Sequence, residues 1–207
     1  MKIERFIAGP VDANNYLVWD EQSKDAVLID CSDYREDILN RISEEHLNIK
    51  YILLTHGHFD HILGLNEMND ILKAKVGVSR SDAILLDSVA QMCAYFGLPA
   101  ASSQKYDFFA DENTEDLRIG NIKIKVLNTP GHTEGGLSYL IDNCVFTGDT
   151  LFKGSYGRVD LPGGNFKTIK NSLENVLFEL PEETKVYPGH GDFSNIEFEK
   201  KYNDINI

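Results

Sequence analysis

The sequence predicts a protein of the α/β class, because short β-rich runs and helical runs alternate from one end of the chain to the other. Residues 51–54 (YILL) form a continuously apolar run, which is typical of a strand covered on both faces of its sheet. Ile122, Ile124 and Val126 alternate with lysines, which indicates a strand with one buried face. Since strands occur in both halves with helices between them, we expect two sheets, or one large sandwich, with helices on the outer faces.

The first half of the chain begins with a predicted hairpin. Residues 16–20 and 26–30 are apolar runs on either side of a polar segment. A helix capped by Ser32 or Asp33 should follow, because apolar residues recur every four positions from residue 34 to residue 42. The other elements predicted for this half are a helix over 62–69, a strand over 75–78 and helices over 81–86 and 88–96.

The second half is predicted from the same signals. Residues 138–141 and 144–147 should form a hairpin around a tight turn. An apolar stripe of helical spacing runs through residues 166–180 and ends at Pro181. Further predictions for this half are an acidic surface loop over 111–116, a strand over 185–187 and a short helical tail over 195–202.

The composition is that of a single folded domain spanning residues 1–207. Of the 207 residues, 42% are hydrophobic and 26% are charged, and no Pro/Gly/Ser-rich linker divides the chain. The 33 acidic and 20 basic residues give a formal net charge of −13, and the Lys and Arg residues form no cluster. Because nucleic acids and anionic membranes are bound through clustered basic side chains, we expect neither as a partner.

Two features predict a cytoplasmic protein. The first six residues carry charges where a signal peptide would have its apolar core, and no apolar run approaches the roughly 18 residues of a spanning helix. The three cysteines, Cys31, Cys93 and Cys144, are far apart and include no CxxC pair, which suits a reducing compartment.

The histidines supply the strongest functional signal. Five of the six lie in short loops after apolar strands, and the densest group, THGHFDH at residues 55–61, contains His56, His58, Asp60 and His61. Imidazole nitrogens and carboxylate oxygens are the ligands of borderline divalent ions such as Zn²⁺ and Fe²⁺. His56 and His58 should project to one side of an extended run, whereas Asp60 and His61 come a half-turn later and point elsewhere. Four ligands with two directions suit two adjacent metal ions better than one.

Three further loops could complete such a centre. His132 in TPGHT, Asp149 in TGDT and His190 in PGHG each lie just beyond a predicted strand, and the glycines allow sharp turns there. Ligands from several strand ends can converge at one rim of a sheet. We therefore expect these three side chains to join the first group.

This pattern of ligands resembles the metallo-β-lactamase superfamily. The flanking segments, TPGHTEGG at residues 129–136 and GDTLFKGSYGRVDLPGG at residues 148–164, look most like its glyoxalase II-like, hydroxyacylglutathione hydrolase branch in the short bacterial form. The likeness runs from the first hairpin to about Asp192. It implies an αββα sandwich, in which two mixed β-sheets have helices on their outer faces.

The resemblance also implies how the ligands are divided between two divalent metal ions per chain. Zn²⁺ is the expected metal, with iron or manganese as alternatives. Asp149 would bridge the two ions, and Asp60 would also act in catalysis by hydrogen bonding to the attacking hydroxide. The ligands of one ion would be His56, His58 and His132, and those of the other Asp60, His61 and His190.

By this resemblance the protein is a metal-dependent hydrolase that cleaves S-acyl or S-hydroxyacyl glutathione, or related small-thiol thioesters, with metal-bound hydroxide as the nucleophile. The chain contains no GxSxG motif and no Cys beside a His, which disfavours covalent catalysis. The alternative is an oxidoreductase, an iron-dependent persulfide dioxygenase with one iron on His56, His132 and Asp149. A third hypothesis is a metal-binding protein without enzymatic activity.

Contacts to substrate are expected from the loop after Asp149. Arg158 could bind an anionic substrate group, but pairing with Asp160 is the stronger expectation, because an arginine near an aspartate usually pairs with it. Lys153 and Tyr156 are further candidates for the cleft. We expect no C-terminal glutathione-binding domain of the glyoxalase II kind, so the resemblance supports a small-molecule thioester as partner better than it supports glutathione itself.

Overall fold

Helices enclose two stacked sheets in the computed structural model, which describes residues 1–206. The first sheet contains, in spatial order, β1 (Lys2–Ala8), β2 (Ala13–Trp19), β3 (Asp25–Ile29), β4 (Asn48–Leu53), β5 (Lys75–Val78) and β6 (Phe108–Phe109). The second sheet contains, in spatial order, β14 (Ser194–Asn195), β13 (Lys185–Pro188), β10 (Cys144–Gly148), β9 (Leu137–Ile141), β8 (Ile122–Asn128) and β7 (Arg118–Ile119). A separate small hairpin is formed by β11 (Leu151–Phe152) and β12 (Ser155–Tyr156).

The helices lie between these strands in the chain. They are α1 (Glu36–Glu44), α2 (Phe59–Ile62), α3 (Leu65–Leu72), α4 (Ala83–Asp87), α5 (Val89–Tyr95), α6 (Phe166–Ser172) and α7 (Ile196–Tyr202). A π-helical turn (Leu173–Leu177) extends α6, and a 3₁₀ turn (Asp204–Asn206) follows α7. Within residues 1–206, no helix is both long enough and apolar enough to cross a membrane.

Both sheets are mixed, as predicted. In the first, β1, β2 and β3 are antiparallel neighbours, whereas β3 to β6 run parallel. In the second, β10 and β13 are parallel and the other neighbours are antiparallel. The strands β8, β10 and β13 therefore share one direction, and their carboxyl ends meet at one edge of the sheet.

Three hydrophobic cores define four layers. The core between the sheets contains the fully buried side chains of Tyr16, Tyr139 and Phe146, and the ring centroids of Tyr16 and Phe146 lie 5.2 Å apart. Burying a side chain such as Phe146 contributes about 1.5–3 kcal/mol. A second core packs α1 to α5 on the outer face of the first sheet, and a third packs the π-helical turn and α7 on the second sheet. The predicted sandwich with helices on its outer faces is confirmed.

The start of α1 differs from the prediction. The predicted cap is wrong, because the helix begins after Arg35, whose side chain makes no capping hydrogen bond. The amide of Ser32 donates instead to Asn15 Oδ1 (2.7 Å), and Asp33 Oδ1 accepts from the amide of Tyr34 (2.8 Å). Ser32, Asp33 and Tyr34 belong to the connection between β3 and α1.

Other element boundaries also differ from the prediction. The helix predicted over 62–69 is divided into α2 and α3 at Gly64, where a Cβ atom would lie 2.1 Å from the carbonyl carbon of Asp33. The amide of Gly64 donates to the carbonyl of Cys31 (3.0 Å). Strand β1 was not predicted, because only its last residues alternate between buried and exposed, although it pairs with β2 along its full length.

Candidate metal centre

Loops from both sheets meet at one edge of the sandwich and bring the predicted ligands with them. Strand β4 ends at Leu53, and the loop that follows carries His56 and His58 before α2 supplies Asp60 and His61. The loops after β8, β10 and β13 carry, in that order, His132, Asp149 and His190.

The structure places all seven side chains in three overlapping groups. Within each group, the atoms that could bind a metal lie within 4.8 Å of one another. Two groups coincide with the two predicted ligand sets, and the remaining one places Asp149 between them. The groups are His56, His58 and His132; His56, His61 and Asp149; and Asp60, His61 and His190. That these residues bind metal ions stays a prediction.

The short distances between ring nitrogens fit a site for cations. His58 Nδ1 lies 2.9 Å from His132 Nε2, and His61 Nε2 lies 3.3 Å from His190 Nε2. His56 Nε2 is buried and has no hydrogen-bond partner. Buried polar atoms are normally partnered, so a buried nitrogen without a partner beside other ring nitrogens fits the predicted role of His56 as a metal ligand. Nitrogen with carboxylate oxygen is also the donor set that zinc and iron prefer.

Burial and neighbouring charges set the protonation states of the centre. Burial lowers the pKa of His56 well below its usual value, and burial with repulsion from other imidazoles lowers the pKa of His58 to about 4. Both rings are therefore neutral, which is the form that binds metal. Burial alone would raise the pKa of Asp149, but the nearby imidazoles, His61 first, lower it below its usual range. The same opposition lowers the pKa of Asp60. The centre thus holds two carboxylates that can offset added positive charge.

Asp30 orients one of the predicted ligands, and sequence reasoning missed it. It is buried at the end of β3, where its Oδ1 accepts from the amide of Thr55 (2.7 Å) and its Oδ2 from Thr55 Oγ1 (2.8 Å). Oδ2 also accepts from His61 Nδ1 (2.8 Å), which leaves Nε2 of that ring directed at the cluster. An aspartate that directly follows a run of apolar strand residues was the available signal.

Asp82 accepts hydrogen bonds from two loops that carry predicted ligands, one after a strand of the first sheet and one after a strand of the second. Its Oδ2 accepts from the amide of Gly57 (3.0 Å) and from Thr133 Oγ1 (2.7 Å), while its Oδ1 accepts from the amide of Gly135 (2.8 Å). Burial raises the pKa of this carboxyl group against the lowering effect of these hydrogen bonds. Sequence reasoning missed Asp82 as well, since an aspartate before a helix looks like an ordinary cap.

Known proteins share this fold. A family model described as the metallo-β-lactamase superfamily matches residues 8–190, a range that contains all seven clustered side chains. The chain belongs to the metallo-β-lactamase superfamily. The resemblance predicted from the sequence is confirmed.

Individual superfamily members match nearly from end to end. The hydroxyacylglutathione hydrolase GloC of Haemophilus influenzae is 32% identical over 206 residues, which cover 98% of this chain and 97% of GloC. The solved structure of BLEG-1, a B3 metallo-β-lactamase, gives a TM-score of 0.89 at 31% identity and covers 98% of each chain. TTHA1623 in a di-iron-bound form gives a TM-score of 0.86 at 33% identity, with 97% of this chain and 98% of that chain covered.

The loop of His190 in this superfamily member is held by the first sheet. Tyr16 Oη donates to the carbonyl of Pro188 (2.7 Å), and Asn14 Nδ2 donates to the same carbonyl (2.9 Å). A Cβ atom at Gly189 would lie 2.2 Å from Asp149 Oδ1, so only glycine lets this loop approach the carboxylate. The second sheet thus supplies the histidine, and the first sheet fixes its loop.

Of the predicted substrate contacts, Arg158 lines the cavity above the centre but is engaged elsewhere. Its Nε and Nη2 atoms donate to the two carboxylate oxygens of Asp160 (2.7 and 2.8 Å), as the sequence favoured. Its carbonyl oxygen lies 2.7 Å from His132 Nδ1 and so orients a predicted ligand. The segment 157–160, whose role the sequence left open, therefore contacts the centre through its backbone.

Of the other two predicted substrate contacts, one lines the cavity and the other does not. Tyr156 lines the cavity, and its ring centroid lies 5.9 Å from that of Phe166. Lys153 does not line it, and its Nζ lies 3.9 Å from a carboxylate oxygen of Asp192.

The cavity has a volume of about 700 Å³ and opens directly onto the cluster. Its floor consists of predicted metal ligands, whereas its two walls are mostly apolar. The floor is formed by His58, Asp60, His132, Asp149 and His190. The helix wall, from α4 and α5, is formed by Leu85, Gln91, Met92, Tyr95 and Phe96, with Phe59 beneath it. The loop wall is formed by Phe152, Tyr156, Leu161 and Pro162, with Arg158 beside them.

Proposed function

We propose that this superfamily member is a binuclear thioester hydrolase of the glyoxalase II type, acting on S-acyl or S-hydroxyacyl glutathione or on thioesters of related small thiols. The observation that carries the proposal is that the side chains of both predicted ligand sets lie close together, with Asp149 in a third group that shares a histidine with each set. Similarity to the hydroxyacylglutathione hydrolase GloC supports a thioester as the substrate. We expect Zn²⁺ first, with iron or manganese as alternatives, and the di-iron form of TTHA1623 supports iron among these.

The positions of the residues suggest which part each would take in hydrolysis. Two divalent ions would polarise the scissile carbonyl and lower the pKa of a water molecule from about 15.7 to roughly 7. Asp60 lies on the cavity floor with 11% of its side chain exposed, and one of its oxygens lies 3.2 Å from His190 Nε2. The carboxylate can therefore orient the attacking water by accepting a hydrogen bond from it.

Direct attack by water fits the chain better than an acyl-enzyme. Cys31, Cys93 and Cys144 are buried, and none of them lines the cavity. Burial raises the pKa of each thiol, which keeps it in its unreactive form. On the product side, a free thiol has a pKa of about 8.5, so the thiolate leaves without a strong general acid.

The persulfide dioxygenase alternative uses one iron on His56, His132 and Asp149. The structure assembles Asp60, His61 and His190 as closely as the other set. The persulfide dioxygenases share this ligand set, so the preference for the hydrolase comes from the similarity to the hydroxyacylglutathione hydrolase GloC, and metal content with oxygen uptake distinguishes the two activities.

Metal analysis and a substrate panel on the purified, metal-loaded protein test the proposal. We expect two metal ions per chain, cleavage of S-lactoylglutathione or a related thioester, loss of cleavage on chelation and its return when Zn²⁺ is added. One iron per chain, with oxygen uptake on glutathione persulfide and no thioester cleavage, would establish the dioxygenase. Bound metal with neither activity would favour the non-enzymatic hypothesis.

A further inference from the structure

The walls of the cavity differ in chemistry from glutathione, which carries two carboxylates and an ammonium group. We propose that the preferred substrate is a thioester whose groups beside the carbonyl are apolar and uncharged, rather than S-hydroxyacyl glutathione. This inference rests on the proposed thioesterase function and specifies its substrate class.

The helix wall presents hydrophobic side chains that other protein atoms do not cover. Tyr95 and Phe96 are 79% and 43% exposed, yet both line the cavity. The ring of Phe96 packs 5.0 Å from that of Phe59, which holds it at the cavity edge. Met92 and Leu85 continue the same surface toward the floor. Contiguous apolar surface beside a reactive centre is typical of a site for an apolar ligand.

The loop wall has similar chemistry. Phe152 lies with its ring centroid 6.1 Å from that of His190, so an apolar surface begins directly beside the floor. Leu161 and Pro162 extend this wall. A group on either side of a carbonyl placed at the floor would therefore meet hydrocarbon.

Charged partners for glutathione are missing from the same surface. Among the described residues that line the cavity, Arg158 is the only Lys or Arg, and Asp160 occupies its guanidinium with two hydrogen bonds. Gln91 is the only side chain with an amide among the described residues of the lining. The carboxylates of glutathione would exchange water for walls whose single described Lys or Arg is already paired with Asp160, and the formal net charge of −13 disfavours them further.

Two series of thioesters test the preference on the metal-loaded protein. One series carries acetyl, butanoyl and hexanoyl groups on N-acetylcysteamine, a small uncharged thiol, and the other carries the same acyl groups on glutathione. We expect kcat/KM to rise by about fourfold per added methylene until the cavity is filled. We also expect N-acetylcysteamine thioesters to react at least as well as their glutathione counterparts, and comparison of the series shows which side of the carbonyl contributes.

The outcomes separate this inference from the proposed function. If S-lactoylglutathione is the best substrate, or if kcat/KM is independent of acyl length, the inference is wrong while the thioesterase function stands. If the metal-loaded protein cleaves neither S-lactoylglutathione nor any member of the two series, the proposed function itself fails.

A charge placed on the helix wall gives an independent test. Tyr95→Glu changes a well-exposed residue of α5 and should lower kcat/KM for the hexanoyl thioester about tenfold more than for the acetyl one. Ile71→Glu is the matched control, because Ile71 is 55% exposed on α3 and does not line the cavity. Both variants should keep the melting temperature of the parent. A Tyr95→Glu protein with an unchanged dependence on acyl length would overturn the assignment of this wall to substrate.

Discussion

The floor and the walls of the cavity are assembled in opposite ways. Each floor residue is buried or half-buried, and all but Asp60, which lies in α2, come from a loop after a strand. The helix wall is formed by exposed or half-buried side chains from α4, from α5 and from Phe96 directly after α5. A change in the floor should therefore act through several partners at once, whereas a change in the walls should act mainly on the bound substrate.

The floor also depends on groups that never face the cavity. Asp30 holds His61 from the first sheet, while Asp82 joins the loop of His58 to the loop of His132. Buried carboxylates with several donors keep such loops in one conformation, since each unsatisfied donor would be costly. We therefore expect the floor to be held more rigidly than the walls. Variants ordered from the centre of the floor outward should have successively smaller effects.

The largest effect is expected at the centre of the floor. Asp149→Ala removes the carboxylate that lies 3.4 Å from His61 Nε2 and 3.6 Å from both His132 Nε2 and His190 Nε2. Because loss of an orienting partner alone costs about 10–100-fold at metal sites, loss of this residue should lower kcat/KM by more than about 100-fold and reduce metal content. Metal analysis and initial rates check both. Two metal ions retained with near-normal turnover would contradict the bridging role.

A smaller loss is expected at Asp30, the hydrogen-bond partner of the predicted ligand His61. Asp30→Asn keeps the size of the side chain but removes the charge that holds the Nδ1 proton of His61, so metal affinity should fall about 10–100-fold. Competition with a chromophoric chelator measures this affinity directly. Asp33→Asn, on an exposed residue of the same connection, is the matched control and should leave it unchanged. Equal affinities in the two variants would show that Asp30 has only a structural role.

Asp149 and Asp30 also differ in whether the sequence predicts their roles. The group at residues 55–61 could be identified because four ligands share one loop, and ligand type together with spacing is visible in the sequence. His132, Asp149 and His190 each stand alone in the sequence. They were predicted to join the group because each lies just beyond a strand, and the resemblance to the family then divided them between two ions. Asp30 and Asp82 have neither signal, because their function depends on hydrogen bonds to segments 25 to 53 residues away in the chain.

The fold could likewise be predicted where it depends on local signals, and not where it depends on distant contacts. Hairpins and the strand over 75–78 follow from local periodicity and turn residues, and the structure has them close to the predicted bounds. The division at Gly64 could not be predicted, because it depends on contact with Asp33 across the chain rather than on neighbouring residues. The apolar character of the cavity walls was also missed, since exposed aromatic residues on a short helix look like any surface helix until the ligands lie beside them.

A stability effect is expected where the two loops are joined. Asp82→Ala leaves the amides of Gly57 and Gly135 and the hydroxyl of Thr133 without their acceptor, and each buried unsatisfied group costs about 1–3 kcal/mol. Since water can enter the space that is left, we expect the free energy of unfolding of the metal-free protein to fall by about 3 kcal/mol. Urea denaturation measures it. Asp87→Ala, on an exposed residue of α4, should change it by less than about 0.5 kcal/mol, and equal values for both would contradict the role of Asp82.

The smallest effect is expected for the only Lys or Arg among the described wall residues. Arg158→Met removes a guanidinium that Asp160 already binds, while the backbone carbonyl that contacts His132 remains. kcat/KM should therefore change by less than about threefold, and equally for glutathione and N-acetylcysteamine thioesters, because an exposed ion pair of this kind contributes little. Asp160→Asn is the informative partner: it weakens the hold on Arg158 and should improve glutathione thioesters selectively. A large loss confined to glutathione thioesters in Arg158→Met would show that the arginine leaves Asp160 to bind substrate, and that the walls recognise charge after all.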